Sequence, residues 1–382
     1  MQKIEKDSFF KIQEKFDKIV FTQSKGWYDY LNFKNSTIVF FVDNDKDPSL
    51  MFWGREQIIP VIKTKILRID GEVYKPNISD KVITKCYNSL LEHNYIGIEI
   101  NSCNTYNINF EIGIRRSGFV RPLSLFSCPL TIEVDLLKPF NFDNNWKRNV
   151  KKANKNELNY KELTTLDAKS LSDIVSMFKE MAKLKGLKYS LDIASLKALT
   201  SSQDIRVFMA LTNEGKPLAA RIIHDNNKYV TDIYAANSID ARQYGAAYFL
   251  VEKILQSLKE EGKTSFDFGR IPPSNHNTDT LYNFKNATRG NRVQYNGEWN
   301  YYRNNTPFLP LSFCVKSFAK IHNCHPMLSK RRPDRRRRRC LTGRNLELYL
   351  THYLFSSHSL GPLFSPLVIQ PTILHTLNLR KL

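Results

Sequence analysis

The chain of 382 residues has only six cysteines, and no two of them stand in a C-x-x-C pair. That argues against a structural zinc site, which needs thiolates closely spaced in sequence. The first 20 residues alternate in charge and contain no apolar run, so no secretion signal is legible and an intracellular, reduced, cytoplasmic protein is expected. No short-period repeat recurs. The triplet Asp267-Phe268-Gly269 also occurs in protein kinases, but neither a Gly-rich loop nor a His-Arg-Asp triplet accompanies it here, which excludes that chemistry. Acidic residues are outnumbered, 37 Asp+Glu against 57 Lys+Arg, for a formal net charge of +20. Such a surplus favours anionic ligands, whether phosphates, nucleic acid or lipid headgroups, without choosing among them. An apolar content of 42% with 12% aromatics is enough for full cores and excludes global disorder. The length predicts two or three domains.

The surplus of charge is uneven. Beyond about Pro310 lysine gives way to arginine, with an unbroken run from Arg335 to Arg339, and residues 348–379 carry no formal charge. Three readings compete for 309–382. It is a segment outside the fold, read in another frame; it is a membrane anchor behind a basic cluster, with Pro362, Pro366 and Pro371 standing against a helical span; or Arg335–Arg339 is a nucleic-acid patch.

Taken in order, residues 4–19 predict a weak amphipathic helix. Thr22 or Ser24 can cap the next one, in which Trp27 and Leu31 share a face. Residues 36–42, 50–53, 58–62 and 66–69 read as strands, 82–93 as a helix, 95–100 as a strand and 109–117 as a short element, with 130–134 closing this half. A second unit opens with the basic helix 146–155. Then follow an amphipathic helix at 167–185 ended by Gly186, a helix at 191–199, a strand at 206–211, a hairpin of 218–224 and 229–236, a helix at 242–261, a strand at 265–268 and an extended segment at 292–302. Alternating strands and helices predict an α/β or α+β fold. The expected units are 1–141, 142–308 and the tail 309–382.

Two stretches carry candidate chemistry. The first is residues 266–290. A buried strand ends in Asp267 and Arg270, an irregular loop with two prolines follows, and Lys285 then stands among Tyr282 and Phe284. Strand ends of open sheets are where ligands bind, and a lysine there can hold a phosphate or carboxylate. The plain alternative is an Asp–Arg pair closing a strand and a lysine on a solvated helix. The second stretch runs from the strand 229–236 into Arg242-Gln243-Tyr244-Gly245-Ala246-Ala247 and a helix. Small residues let backbone amides approach a ligand, and a helix amino end offers unpaired N–H groups. A plain strand–helix turn is the alternative.

With those residues in view the chain resembles a known group. R-x-x-G-x-A at 242–247 looks like the acyl-CoA pyrophosphate loop of the GNAT acyltransferase superfamily. The order of Trp146–Ala153, Pro217–Arg221, Phe266–Arg270 and Phe284-Lys285, with Gln23-Ser24 and Trp27 as an opening signature, resembles FemAB-like proteins. The resemblance covers roughly 142–305 most fully. It implies two tandem GNAT-like domains with mixed, mostly antiparallel sheets flanked by helices, and a ligand in or beside the cleft between them. It also implies an N-acyltransferase that moves an acyl or aminoacyl group from acyl-CoA or aminoacyl-tRNA to an amine, on a cell-wall or surface-polysaccharide precursor. The implied partners are an anionic small-molecule or lipid-linked glycan acceptor, tRNA as the alternative donor carrier, and the inner membrane surface as a peripheral contact; no metal is implied. By similarity Lys285 matches the lysine of the Phe-Lys motif that contacts anionic substrate. The chain departs from the pattern in having its next glycine only at Gly290, and in lacking a long coiled-coil insertion.

In this reading residues 242–247 hold the donor's phosphates, and an acceptor amine must lose a proton, for which Asp267, Tyr234 and Asp232 are the candidates. Asp232 and Tyr234 are expected on one face of their strand by period 2, with a structural pair as the plainer role for Asp232. Arg221 and Arg270 are placed to clamp a phosphate or carboxylate. His224 and His276 read as structural or exposed. A competing class is a non-catalytic binding module for RNA or anionic glycan that uses the same basic cleft.

Overall fold

The computed structural model describes residues 1–59, 63–122, 127–185, 191–271 and 280–303. The chain opens with β1 (Gln2–Ile4), α1 (Lys6–Gln13) and α2 (Lys25–Phe33). Next come β2 (Ile38–Val42), β3 (Leu50–Ile59), β4 (Thr64–Ile69), β5 (Val73–Tyr74), α3 (Asp80–Leu91), β6 (Gly97–Thr105), α4 (Ile108–Arg116) and β7 (Leu130–Asp135). The second series is α5 (Asn144–Lys155), β8 (Asn159–Glu162), α6 (Ala168–Lys185), α7 (Ile193–Leu199), β9 (Ile205–Leu211), β10 (Pro217–Asn226) and β11 (Tyr229–Asn237). It ends with α8 (Ala241–Tyr244), α9 (Ala246–Glu260), β12 (Ser265–Asp267), α10 (Thr280–Asn286) and β13 (Asn291–Tyr302).

The strands form one mixed, mostly antiparallel sheet of order β1-β2-β3-β4-β6-β13-β7-β12-β11-β10-β9-β8, with β5 on β3. Its two ends repeat one plan, as expected for two tandem units. β2, β3 and β4 make an antiparallel meander, and β4 then runs parallel to β6 after the helix α3. β9, β10 and β11 make the same meander, and β11 runs parallel to β12 after α9. The units then exchange their last strands. β7 does not close the first half but pairs with β12, while β13 crosses back to pair with β6; the two exchanged strands pair with each other in the centre.

Three apolar clusters fill the layers. One joins the halves, with Phe9, Trp27, Tyr30 and Trp53 packed in the same cluster as Ile174, Phe178, Leu196 and Val207. The other two lie under α3 and α4 and under α5 and α9. Ser24, as anticipated, caps α2 by accepting the Trp27 amide at 3.2 Å. Buried Gln23 explains its place in the opening signature: its Nε2 donates to Trp53 O and Asp70 O at 3.0 and 3.2 Å, and its Oε1 accepts the Trp53 amide at 2.7 Å. That side chain fastens the start of α2 to β3 and to the end of β4.

Several local expectations change. The first helix covers only Lys6–Gln13 of the expected 4–19, and β1 takes residues 2–4 into the sheet. Residues 50–53 and 58–59 belong to one continuous strand, β3. The strand β8 was not anticipated; its partner β9 stabilises a sequence too polar to announce itself. The helix expected over 242–261 is two helices, α8 and α9, broken at Gly245 in the left-handed region, φ 69°. Residues 60–62, Gly186, the loop holding His276 and the tail 309–382 lie outside the described residues. Among the described residues no helix is long and apolar enough to cross a membrane.

Gly245 is held by a neighbour as well as by its φ. A Cβ there would run into the carbonyl oxygen of Asn149 in α5. Gly215, at φ 80°, has nothing within 4 Å of the same position. Gly245→Ala therefore combines backbone strain with displacement of α5, whereas Gly215→Ala meets the strain alone, of order 1–3 kcal/mol. Urea unfolding should show the larger loss at Gly245; equal losses would mean that α5 yields freely.

Candidate functional site

The parallel pair β11–β12 is short. Tyr229, Val230 and Thr231 face Ser265, Phe266 and Asp267, and β12 then stops while β11 continues to Asn237. Among the described residues no strand pairs with β11 on that side past Thr231, so a wedge opens between the two. At the same level the ladder with β10 slips: Ile222 faces Tyr234 and Ile223 faces Asp232, leaving Ile233 as the extra residue of a bulge. The bulge overturns the expectation that Asp232 and Tyr234 share a face. Tyr234 and Ile233 pack on the central core, with Tyr234 edge-on to Phe178 at 6.0 Å, while Val230 belongs to the cluster under α9. Asp232 is buried and paired with buried Arg221.

At the foot of the wedge Arg221, Asp232, Lys285 and the 268–270 turn come together. The Arg221 guanidinium also lies over the Phe284 ring, 5.3 Å from its centroid. Burial pushes the Asp232 carboxyl up, opposed by the charges of Arg221 and Lys285. Lys285 is not the solvated helix lysine of the plainer reading: only 5% of it is exposed. Its Nζ donates to the carbonyls of Phe268, Gly269 and Arg270 at 2.6, 3.3 and 3.5 Å. Burial lowers its pKa to about 8, against the pull of Asp232. Gly269, at φ 69°, lets that turn form, and a Cβ on it would sit 3.0 Å from Asp232 O.

Asp267 and Arg270 are engaged elsewhere. Asp267 Oδ1 accepts from Thr131 Oγ1 at 2.5 Å and from the Gly269 amide at 2.8 Å, and Oδ2 accepts from Tyr295 OH at 2.5 Å. Burial first, and Asp267 second, raise the Tyr295 hydroxyl well above its ordinary pKa, so it remains a donor. Arg270 reaches β6, donating to Ser102 O at 3.2 Å and Cys103 Sγ at 3.3 Å. The clamp of Arg221 with Arg270 is therefore not formed; each guanidinium has its own partners. His224 is buried, as expected of a structural residue, and its Nε2 lies 3.5 Å from Asp204.

Residues 242–247 lie where the chain leaves β11. Arg242 and Gln243 are exposed, Gly245 and Ala246 buried. The amino end of α9 has no side-chain cap and no acidic residue in its first turn, so its first amides remain available to an anion. The helix at the matching place in the first half differs. α3 is capped by Ser79, starts with Asp80, and pairs that carboxylate with Arg116. The contact of Gly245 with Asn149 sets α5 alongside, bringing exposed Arg148 and Lys152 to the same rim. Gly290, late in the motif, is needed for close approach, since a Cβ would lie 2.7 Å from Glu133 O of β7. Among the described residues no group of His, Cys, Asp and Glu could hold a metal ion.

Glu72 was not foreseen. It is fully buried just past β4. Its Oε1 accepts from Ser102 Oγ at 2.5 Å and Asn104 Nδ2 at 3.1 Å, while Oε2 has no hydrogen-bond partner among the described residues. Burial pushes its pKa up to about 7. Gly71-Glu72 reads locally as an ordinary turn, so nothing in the sequence announced it.

Comparison with known proteins accords with the resemblance seen in the residues. Residues 193–316 match the model of the FemAB family. No curated protein matches the sequence significantly. Among solved structures, FemX is similar with a TM-score of 0.65 at 14% identity, covering 83% of this chain and 100% of that one. L-PGS from Bacillus licheniformis follows at 0.54 and 15%, covering 83% and 97%. The C-terminal domain of a putative lysylphosphatidylglycerol synthetase from Agrobacterium fabrum gives 0.52 and 13%, covering 82% and 95%. At such identities the likeness is one of fold. The chain is thus similar to the FemAB family over 193–316 and shares the fold of FemX.

Glu72 makes stability depend on pH. An unfolded glutamate loses its proton near pH ~4.3, whereas the native chain keeps it to about 7. The native state binds the extra proton in that window, so this group's contribution falls as pH rises through it. Glu72→Gln should raise stability at pH 8 by on the order of 3 kcal/mol and change little at pH 4.5, as read by urea unfolding. Equal effects at both pH values would mean that the native carboxyl titrates normally.

Proposed function

We propose that this FemAB-like chain is an acyltransferase that moves an acyl or aminoacyl group from an activated donor to an amine, on a precursor of the cell wall or of a surface lipid or glycan. The observation that carries the reading is the wedge between β11 and β12. It has a bulge at Ile233, an uncapped helix amino end at its mouth, and a buried cationic foot made by Arg221 and Lys285. The family match over 193–316 and the fold of FemX support it.

In this reading the donor's phosphates meet the first amides of α9, the exposed side chains of Arg242 and Gln243 and the half-buried Tyr244, with Gly245, Ala246 and Ala247 supplying close-packed backbone. The contrast with α3, whose amino end already holds a serine cap and an aspartate, favours the second half as the donor side. The acyl group then lies in the wedge, where the bulged backbone of β11 offers groups outside the ladder to polarise its carbonyl. Lys285 and Arg221 supply positive field in a dry site, where it acts most strongly on developing negative charge. Lys285 works mainly through shape, since its donors go to the carbonyls of the 268–270 turn. Asp267 acts in the same way through Gly269. Proton removal from the amine falls to Asp232, whose carboxyl burial has raised, or to solvent, with Tyr234 on the far side of the strand. Acyl-CoA and aminoacyl-tRNA both satisfy an anion site of this kind.

Two measurements test the proposal. Thermal shift with acyl-CoAs and with aminoacyl-tRNA should show that one class raises the melting temperature, because a ligand of the native state stabilises it. Arg242→Glu, at an exposed position, should abolish that rise without lowering the melting point of the free protein. Failure of both donor classes would overturn the reading. Lys285→Met should slow transfer strongly and also destabilise by about 1–3 kcal/mol, since it strands buried carbonyls. Lys285→Arg should restore little, because a longer planar guanidinium cannot serve three carbonyls converging on one point. Full transfer by the methionine variant would remove Lys285 from the site.

A further inference from the structure

Glu72 stands at a joint between the halves. It follows β4 and precedes β5, which pair in succession with the same strand, β3. Asp70, two residues earlier, is paired with Arg55 at 2.5 Å, and its carbonyl accepts from Gln23. The Glu72 side chain engages β6 instead. Ser102 there is used twice: its hydroxyl donates to Glu72 Oε1, and its carbonyl accepts from Arg270. One residue thus separates a fully buried carboxyl of the first half from a guanidinium of the second. Glu72 Oε2 has no hydrogen-bond partner among the described residues, although the group has no access to solvent. The titratable groups in electrostatic reach are Tyr74 of β5, Tyr87 of α3 and Cys103 of β6. Burial raises all three, so they stay neutral. Asn104 of β6 and Asn296 of β13 add neutral donors, and Arg270 supplies the positive charge that acts on the carboxyl.

A protonated Glu72 fits this setting. An ionised one is an anion without water and with one oxygen unmatched, which is costly unless a cation meets it. Arg270 at present donates to a neutral carbonyl and a thiol sulfur, at 3.2 and 3.3 Å. Both are weaker acceptors for a guanidinium than a carboxylate is. Arg270 is also the last residue of the 268–270 turn, whose carbonyls hold Lys285 Nζ. We propose that Glu72 is a positioning residue for the wedge. With its proton on, it leaves Arg270 anchored on β6; with its proton off, it draws the guanidinium towards Oε2 and shifts the turn on which Lys285 is seated. The positioning role rests on the acyltransfer reading, whereas the movement does not and is observable without donor.

The test is amide hydrogen exchange of the full chain without donor, read on peptides covering residues 266–271 and corrected for the intrinsic effect of pH. Burial places the Glu72 titration at about 7, so its ionised fraction rises about tenfold between pH 6 and pH 8. Exchange at the turn should accelerate by about the same factor over that range in the wild type. Glu72→Gln keeps an acceptor for Ser102 and Asn104 and cannot ionise, so it should hold the slow rate at both pH values. Arg270→Gln removes the responding group, and it should abolish the acceleration although Glu72 still titrates. Exchange at the turn that ignores pH in the wild type would overturn the proposal, as would an acceleration that survives either substitution. A second readout is transfer itself. The ratio of wild-type kcat to that of Glu72→Gln should fall between pH 6 and pH 8 with the donor KM unchanged, because the donor's phosphates lie at α9. A ratio that stays level while the turn moves would deny Glu72 its positioning role. Absence of transfer with either donor class would sink the acyltransfer reading and leave the exchange result to decide the movement.

Discussion

The carboxylate of Asp267 joins three parts of the molecule. It takes a hydroxyl from β7, a hydroxyl from β13 and an amide from the turn that follows its own strand. Hydrogen bonds to a charged group are worth about 1.5–3 kcal/mol each. This carboxylate therefore fixes where β12 ends and how its chain turns away. Lys285 secures the same turn from the other side through backbone carbonyls. With β12 ended there, β11 runs on paired with β10 alone among the described residues, and the wedge exists because of that mismatch in strand length.

The two halves use the same strand plan for different purposes. In the second, the wedge has a paired, positively charged foot and an open helix amino end. In the first, the helix end is occupied by Ser79 and Asp80, and a buried carboxyl, Glu72, accepts from Ser102 and Asn104 just past β4. The two halves thus differ in the charge they place at the same point of one strand plan. Arg270 links the two by reaching from the turn after β12 to the backbone of β6.

Much of this was legible in the residues. The β10–β11 hairpin, the Ser24 cap, the basic helix carrying Trp146 and the amphipathic α6 all follow from short-range pattern, and local sequence determines such elements. The family resemblance correctly pointed to the tandem fold. Three things escaped. A single bulge at Ile233 rotates Tyr234 to the opposite face from Asp232, and period-2 reasoning cannot see an inserted residue. The depth of Lys285 depends on Trp146, Tyr248 and Phe284, which pack together from three separate helices. The trade of β7 for β13 is invisible to any local pattern, because each strand reads alike whichever half it joins.

That trade has a consequence for the order in which the protein is made. During synthesis from the amino end, β6 emerges early but lacks its central neighbour until residues 291–302 have been released. The first half thus waits as an open sheet edge while nearly two hundred further residues are added, and an unpaired edge is a template for wrong pairing. Closure comes only when β13 threads between β6 and β7, one late event that completes both halves together. Folding in this chain should await the release of β13 rather than proceed unit by unit, with the open edge of β6 exposed until then.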